Sequence, residues 1–465
     1  MHYCVFLLLV PAVASPVYSL SFPNKVSPKV VDEISSYKGV ANEIINLAVY
    51  GAAQNQSYNR LAKFTDTIGN RIAGSQNFER AVDYMLKELS DDGLDNVHSE
   101  PANVTHWVRG NESATMLAPR RYNIAMLGLG GSIATPPEGI TAEVLVVHSF
   151  DELHNRSKEA KGKIVVFYED YEGYGVSVAY RDFGAKETAM VGGVASLIRS
   201  VGPFSIHSPH TGWQDYDPKV KKVPTACITI EDAQMMARMA ARGTKIVVNI
   251  KMEAKTLPPV QSRNTVAEII GSKHPEQVVL VSGHLDSWDV GQGAMDDGGG
   301  AFISWEALSL VKQLGLRPKR TLRLVLWTGE EEGGLGGQAY FNAHKGNMSN
   351  FNIVMESDAG TFTPLGIQFT GSDAAYAIME HIVQLLAPVN ATQLSKGAEG
   401  TDIELWLRAG VPGGSLADDI DTYFWYHHSD GDTMTVQDPH QMNLCAAAWA
   451  VVSYILADME DMLPR

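Results

Sequence analysis

The pattern of apolar and polar positions divides the chain into three parts. In the first, residues from about 27 to 97, apolar side chains recur at three- and four-residue spacing. This spacing predicts helices over Val40–Tyr50 and Phe78–Leu89, joined by a segment that begins as a turn-rich linker at Phe64. In the second part, from about 118 to 255, short β-type runs alternate with Gly and Pro, which predicts a separate, β-rich inserted domain. Its clearest strands are residues 142–147, 162–167 and 246–250.

The third part follows the linker Leu257-Pro258-Pro259 and alternates strands with helices. The predicted elements are a strand near 277–283, a helix over Ala301–Leu314, a strand over Thr321–Trp327, a helix near Gly337–His344 and a strand over Ile353–Glu356. Such alternation is typical of α/β proteins with parallel strands. The predicted fold is therefore α/β: a mixed, largely parallel sheet flanked by helices, interrupted by the inserted domain.

The amino-terminal segment has the character of a targeting signal. Cys4–Ala14 is an apolar run too short to span a bilayer, and small residues favour cleavage near Ser19. Residues 1–19 are therefore predicted to be a signal peptide, with a buried N-terminal strand as the alternative. No later segment has the pattern of a membrane span, which predicts a soluble protein of the secretory pathway. Six Asn-x-Ser/Thr triplets favour the same compartment: Asn55, Asn103, Asn111, Asn155, Asn347 and Asn390.

Length, charge and cysteine content narrow the class of protein. A chain of 465 residues exceeds one typical core, so two or more domains are expected. The net charge of −16 argues against binding to nucleic acid or to anionic membrane surfaces. Removal of the signal leaves Cys227 and Cys445, which could pair, although two separate buried thiols are the favoured interpretation.

Candidate chemistry begins where the strand near 277–283 ends. His284 and Asp286 follow it directly, and Asp296 lies ten residues further on, before a glycine-rich turn. A lone His after a buried strand is usually a hydrogen-bonded core residue, but a neighbouring carboxylate can instead orient it as a metal ligand. Asp297 and the glycines after it could be a helix cap and turn. That alternative does not explain two adjacent acids.

The next two strands also end in acids. Thr321–Trp327 leads into Glu330, Glu331 and Glu332, of which the third could be a solvated surface charge. Two adjacent carboxylates suit a division of labour in which one binds metal and its neighbour accepts a proton. The strand at Ile353–Glu356 is followed by Asp358, for which a turn residue and a ligand are equally reasonable interpretations.

A late pair of histidines, His427 and His428, completes the candidate ligands, with His428 favoured as the ligand and His427 as a packing residue. By contrast, His207 and His210 lie in a Ser/Pro-rich loop and are expected to be surface residues. Two His and three acids suit zinc or a neighbouring divalent ion. Five ligands are too many for one catalytic zinc with an open position, but they suit two ions that share a carboxylate.

The succession of HLD, DDGGG, GEEEGG, SDAG and HHSDGDT resembles the M28 family of co-catalytic zinc peptidases, across nearly the whole mature chain. The resemblance implies one zinc held by His284, Asp296 and Asp358, and a second held by Asp296, Glu331 and His428. It also implies that Glu330 is the general base and that Asp286 orients His284. Asp402 lies in a segment that departs from the usual family form, so no catalytic role is assigned to it.

The resemblance also carries expectations about organisation and activity. The insert, residues 118–257, resembles a protease-associated domain, between peptidase parts at 39–117 and 258–465, and a propeptide is suggested over 20–38. The implied activity is hydrolysis of small unblocked peptides, chiefly dipeptides, by a secreted or lysosomal homodimer. Two other functions on the same scaffold remain open: a non-catalytic binding protein and a glutaminyl-cyclase-like acyltransferase. A serine hydrolase is disfavoured because no GxSxG motif occurs.

Overall fold

The computed structural model describes residues 26–465. The predicted signal peptide, residues 1–19, lies outside the described residues, as does the first part of the segment 20–38. The rest of that segment is helical, and it packs against the body of the protein through buried Ile34 and Tyr37. The Tyr37 hydroxyl donates a hydrogen bond to Asp458 at 3.0 Å, which ties this segment to the last helix.

The helices of the described chain are α1 (Pro28–Ser36), α2 (Lys38–Val49), α3 (Gln56–Ile68), α4 (Gln76–Asp91), α5 (Phe150–Asn155), α6 (Ser157–Ala160), α7 (Tyr174–Met190), α8 (Ile230–Ala241), α9 (Gly299–Gln313), α10 (Leu335–His344), α11 (Asp373–Val383), α12 (Glu404–Arg408), α13 (Tyr423–Tyr426) and α14 (Pro439–Asp458). Helices α2, α4, α9 and α10 correspond to predicted helices. Helix α3 was missed, and its last turn occupies the start of the segment expected to be a linker. Its apolar positions, such as Leu61 and Phe64, are few, and the helix depends on burying them in the core.

The strands are β1 (Asp95–Val108), β2 (Glu112–Ala118), β3 (Tyr122–Ile124), β4 (Met126–Gly128), β5 (Ile140–Val147), β6 (Ile164–Phe167), β7 (Ala195–Arg199), β8 (Thr225–Ile228), β9 (Val247–Met252), β10 (Lys255–Ile269), β11 (His274–His284), β12 (Arg320–Trp327), β13 (Phe351–Glu356), β14 (Pro364–Thr370), β15 (Gln393–Lys396) and β16 (Gly413–Asp418). Their pairing forms two eight-stranded sheets.

The first sheet has the order β1-β10-β12-β11-β13-β16-β14-β15. Its four central strands, β12, β11, β13 and β16, are parallel, and antiparallel pairs flank them. Helices α2, α3, α9 and α14 bury their apolar residues against one face, and α10 and α12 pack on the other. This architecture confirms the predicted mixed, largely parallel sheet between helices.

The second sheet has the order β3-β2-β9-β5-β6-β7-β8-β4, with β5 to β8 parallel. It is formed by the predicted insert together with β2, so the sheet starts before residue 118. Two substantial helices, α7 and α8, accompany this sheet and were not expected in a β-rich block. The long antiparallel pair of β1 and β10 belongs to the first sheet and carries the chain into and out of the insert.

Three smaller observations complete the fold. Cys227 and Cys445 are both buried and free, as expected. Among residues 26–465, no helix is long and apolar enough to cross a membrane. Of the six candidate glycosylation asparagines, Asn55 is partly buried and accepts a hydrogen bond from Asn443, whereas the other five are exposed.

Candidate active site and metal centre

The candidate residues meet at one edge of the first sheet. His284 is the last residue of β11, Glu330 and Glu331 follow the end of β12, and Asp358 follows the end of β13. Because these strands are parallel neighbours, their carboxyl ends share an edge. The turn Ala294–Gly298, which leads into α9, adds Asp296 to the same place.

One group of side chains surrounds the imidazole of His284. Its Nε2 lies 3.2 Å from Asp296 Oδ1 and 3.2 Å from Asp358 Oδ1. The Glu330 carboxylate is slightly further away, with Oε2 at 3.9 Å from the same nitrogen. The structure therefore brings together the three side chains assigned to the first ion, with Glu330 beside them.

A second group surrounds His428, whose Nε2 lies 3.0 Å from Glu331 Oε2 and 3.3 Å from Asp296 Oδ2. Asp296 thus directs one carboxylate oxygen to each group, as a bridging ligand would. His427 also approaches Asp296, at 3.5 Å, and its ring stacks on that of His428 with 3.5 Å between centroids. His428 has a φ of 58°, in the left-handed region that a non-glycine residue seldom adopts.

Asp286 contacts the backbone of Glu330 and Glu331 as well as the histidine. Its two carboxylate oxygens accept hydrogen bonds from the N–H groups of Glu330 and Glu331, each at 3.3 Å. Nδ1 of His284 lies 3.0 Å from the backbone carbonyl oxygen of Asp286 and 3.7 Å from its nearer carboxylate oxygen. Asp286 therefore contacts His284 chiefly through its carbonyl group, while its carboxylate orients the two glutamates.

Two further aspartates hold the turn that carries Asp296. Asp297 accepts hydrogen bonds from the N–H groups of His284 and Gly300, both at 3.0 Å, so one carboxylate contacts both the end of β11 and the first turn of α9. Asp432 accepts from the N–H groups of three consecutive residues, Ala294, Met295 and Asp296, at 2.7–3.1 Å. Asp432 had no predicted role, although it lies within the HHSDGDT motif.

Arg71 is a second residue that the sequence did not reveal. It is fully buried, and its guanidinium donates to the carbonyl oxygens of Leu285, Gln292 and Gly293 at 2.5, 2.6 and 2.9 Å. These carbonyls belong to the segment between His284 and Asp296. Arg71 therefore holds the segment that connects two candidate ligands, His284 and Asp296. Arg71 itself lies in a turn that the sequence pattern predicted only as part of a linker.

The structure excludes a surface position for Glu332, which the sequence left open, and shows that the surface position predicted for His210 was wrong. Glu332 is buried, because the chain turns back through Gly333 and Gly334, both with positive φ, and draws its side chain inward. His210 is also buried, because the loop of the insert that contains it packs against the site. The neighbouring Thr211 donates its N–H to the carbonyl of His428 at 2.8 Å, which fixes the loop there. His207 is exposed, as expected.

The electrostatics of the site indicate a need for positive charge. Burial alone would lower the pKa of His284, but Asp358 and Asp296 raise it well above the usual value. Burial would raise the pKa of Asp296, yet its hydrogen bond to His284 and the closeness of His428 hold it well below the usual value. For Glu330, burial and the nearby Asp358 raise the pKa strongly. Buried carboxylates in excess of the histidines are the setting that a bound cation stabilises.

The side chains also meet the chemical requirements of a divalent metal. Imidazole nitrogens and carboxylate oxygens are the ligands that zinc takes in hydrolytic sites. Asp296 belongs to two groups of side chains that could hold an ion, one with His284 and Asp358 and one with His427 and His428. Asp296 Oδ2 and Glu331 Oε1 are buried and have no hydrogen-bond partner among the described residues, so each has room for a ligand bond. The residues fit a metal centre.

A cleft of about 610 Å³ opens above these side chains. Its floor is formed by the peptidase residues Asp296, Glu330, Glu331, Asp358, His427 and His428. The facing wall comes from the insert and includes Tyr174, Arg181, Trp213 and Gln214. The insert, expected to be a separate domain, therefore forms part of the cleft.

A buried set of histidines and carboxylates at the carboxyl edge of a mixed sheet, beneath a cleft, defines a metal-dependent hydrolase site. Comparison with known proteins specifies the class. The matching family description is "Peptidase family M28", over residues 264–453. The chain belongs to peptidase family M28 and is a metallo-exopeptidase.

The similarity to individual proteins extends beyond the catalytic part. Carboxypeptidase Q of Xenopus laevis is 67% identical over 433 residues, which cover 93% of this chain and 92% of that protein. The crystal structure of a peptidase M28 precursor from Shewanella amazonensis SB2B has a TM-score of 0.88 at 30% identity, covering 93% of this chain and 99% of that one. A zinc aminopeptidase from Bacillus subtilis shares the fold, with a TM-score of 0.68 at 17% identity, covering 88% and 96%.

Proposed function

We propose that this chain is a secreted or lysosomal zinc peptidase that hydrolyses small unblocked peptides, chiefly dipeptides, and acts as a homodimer. The observation that carries the catalytic part is the convergence of five side chains at one place: Asp296, Glu331, Asp358 and His428 line the floor of one cleft, and His284 lies 3.2 Å from both Asp296 and Asp358. The similarity to carboxypeptidase Q over nearly the whole chain supports an exopeptidase. The apolar amino-terminal run and the exposed asparagine triplets support the secretory pathway.

Two zinc ions would be held by these five side chains, with Asp296 between them. Its two oxygens face different histidines, His284 and His428, at 3.2 and 3.3 Å, which supports the shared-ligand assignment. When bound, zinc supplies positive charge that polarises a peptide carbonyl and lowers the pKa of water towards ~7. The further prediction of two ions rather than one is tested by measuring zinc content.

Glu330 is the proposed general base and proton donor. Its carboxylate lines the cleft beside His284, whereas the carboxylate of the next residue, Glu331, contacts His428. It accepts a proton from the attacking water and then delivers that proton to the nitrogen of the leaving amine. Asp286 fixes the backbone of Glu330 through the hydrogen bond at 3.3 Å and so sets the direction of its side chain.

The dimensions of the cleft support small substrates. Its volume of about 610 Å³ lies in the range of sites for small molecules. The insert closes one side of it with Trp213 and Tyr174, so a long peptide has little room to continue beyond that wall. Dipeptides with free termini fit such a space.

The decisive experiment is the substitution Glu330→Gln, with Glu276→Gln on the exposed start of β11 as the matched control. We expect Glu330→Gln to retain two zinc ions and to lose about 10²–10⁴-fold in kcat on dipeptides, since it removes the acid–base group alone. The control should keep wild-type turnover. Wild-type-like turnover in Glu330→Gln would contradict the assignment.

The two other functions considered for this scaffold are separated by the same wild-type sample. A glutaminyl-cyclase-like enzyme would cyclise peptides with N-terminal Gln and leave dipeptides intact. A binding protein would do neither, with or without added zinc. Chelator-sensitive dipeptide cleavage that zinc restores would exclude both.

A further inference from the structure

The insert places a buried arginine in the wall of the cleft. Arg181, on α7, is 8% exposed and lines the cavity whose floor carries the candidate zinc ligands. Nothing in the proposed hydrolysis uses it. A guanidinium removed from water in this way is costly unless an anion accompanies it.

The partners of Arg181 within the described chain are weak. Nη1 donates a hydrogen bond to the Tyr174 hydroxyl at 2.9 Å, but buried Nε has no hydrogen-bond partner among residues 26–465. Asp182 forms an ion pair with Arg181, with 3.6 Å between its Oδ1 and Nε of the arginine, but the side chain of Asp182 is 40% exposed. This ion pair leaves N–H donors of the Arg181 guanidinium without acceptors, and it does not fully compensate the buried positive charge. The guanidinium therefore has donors left for an anionic ligand.

Neighbouring groups keep this position open and polar. A Cβ at Gly212 would lie 2.2 Å from Arg181 Nη1, so glycine allows the backbone to pass against the guanidinium. Gln214, 2% exposed and also in the cleft wall, has neither amide atom hydrogen-bonded to another described residue. Buried polar groups of natural proteins are normally paired, and those without a protein partner commonly serve a ligand.

Arg181 is close to the zinc-binding residues. Its Cζ lies 5.5 Å from the centroid of the Tyr174 ring, and that ring packs edge-on against His427 with 5.0 Å between centroids. His427 in turn stacks on His428. The guanidinium and the candidate ligands Glu331 and His428 line the same cleft of about 610 Å³, so a short peptide held over those ligands has its C-terminal carboxylate in the cavity that Arg181 lines.

We propose that Arg181, with Gln214 of the same cleft wall, binds the α-carboxylate of the substrate's C-terminal residue. Arginine suits this ligand because two parallel N–H donors match the two oxygens of a carboxylate. The insert would then restrict the enzyme to substrates that end one or two residues beyond the scissile bond. This inference deepens the proposed function and rests on it.

The test compares an unblocked dipeptide with its C-terminal amide as substrates of the zinc-loaded full chain. We expect the wild type to prefer the free acid by about 10- to 100-fold in kcat/KM, the ratio that hydrogen bonds to a charged group commonly give. Arg181→Gln should lose this preference, mainly through a higher KM for the acid, while its cleavage of the amide changes little. Arg181→Lys should retain part of the preference, because it keeps the charge but not the fork.

Exposed Arg238, on α8 of the same insert, provides the control substitution Arg238→Gln, which should leave the preference unchanged. If Arg181→Gln does not fold, Gln214→Glu tests the same subsite, since a second carboxylate should repel the acid more than the amide. Equal losses on both substrates in the folded variant, or an unchanged preference, would overturn the subsite. A wild type that cleaves neither substrate would instead refute the proposed function, and one that cleaves both equally would refute the subsite alone.

Discussion

Replacement of Arg71 tests whether a residue outside the ligand set maintains the metal centre. Its guanidinium holds the carbonyls of Leu285, Gln292 and Gly293, and it is completely buried. Arg71→Met keeps much of the side-chain volume but leaves these three acceptors without their donors. It also removes a positive charge next to Asp432 and other buried carboxylates.

The size of the effect follows from those contacts. Each hydrogen bond to a charged group is worth about 1.5–3 kcal/mol, and relaxation of the loop recovers part of the sum. We therefore expect a loss of about 3–5 kcal/mol in the free energy of unfolding, as for other broken buried networks. At about 2 °C per kcal/mol, the Tm of the zinc-loaded protein should fall by roughly 5–10 °C. Zinc affinity should fall by about 10- to 100-fold, as for other groups that orient metal ligands.

Arg71→Lys separates charge from geometry. An ammonium group keeps the positive charge but cannot reach three carbonyls with the planar fork of a guanidinium, so an intermediate loss is expected. Thermal unfolding gives the Tm, and competition with a chromophoric chelator gives the zinc affinity. Arg80→Met, at an exposed position on α4, is the control. If Arg71→Met matched this control in both measurements, the proposed support of the centre would be refuted.

Three further predictions concern other buried groups. Asp432→Asn should weaken zinc binding about 10-fold in the same competition assay, because three N–H groups lose a charged acceptor. Burial raises the pKa of Glu169 to about 8, so between pH 5 and 8 the folded chain retains a proton that the unfolded chain has released, and stability falls as pH rises. Glu169→Gln, compared with Asp170→Asn, should remove up to ~1.4 kcal/mol per pH unit of that decline in denaturant titrations. Because Cys227 and Cys445 are free, a reducing agent should leave the Tm unchanged.

The strands that carry the site were predictable because each is marked by a local sequence signal, a run of mostly apolar residues. A run such as Thr321–Trp327, apolar throughout much of its length, predicts a buried strand, and the acids that follow fall at its carboxyl end without further information. Parallel pairing then brings the ends of β11, β12 and β13 together. The five candidate ligands were therefore predictable from the sequence, and the structure brings them together, four in the lining of one cleft and His284 in contact with two of those four.

The residues that hold those ligands in place were not predictable in the same way. Arg71 acts on carbonyls more than 200 positions away, at a separation of 214 for Leu285, and no periodicity records such a contact. Asp432 acts on backbone N–H groups, which every sequence contains. Only the strict spacing within HHSDGDT could have drawn attention to Asp432, and spacing alone does not distinguish a supporting acid from a turn residue.

The inserted domain illustrates a different limit. Its sequence contains no cluster of metal-type ligands, and His210 was expected on the surface because it lies in a Ser/Pro-rich loop. Packing reverses this interpretation, because Thr211 contacts the backbone of His428 and Arg181 lines the cleft. In the proposed mechanism the first sheet supplies the groups that would bind metal and move protons. The second sheet supplies a wall in which polar atoms of Arg181 and Gln214 have no hydrogen-bond partner among residues 26–465. If Arg181 in that wall binds the substrate's C-terminal carboxylate, the insert determines which peptides are hydrolysed. Its residues nevertheless take no part in the cleavage of the bond.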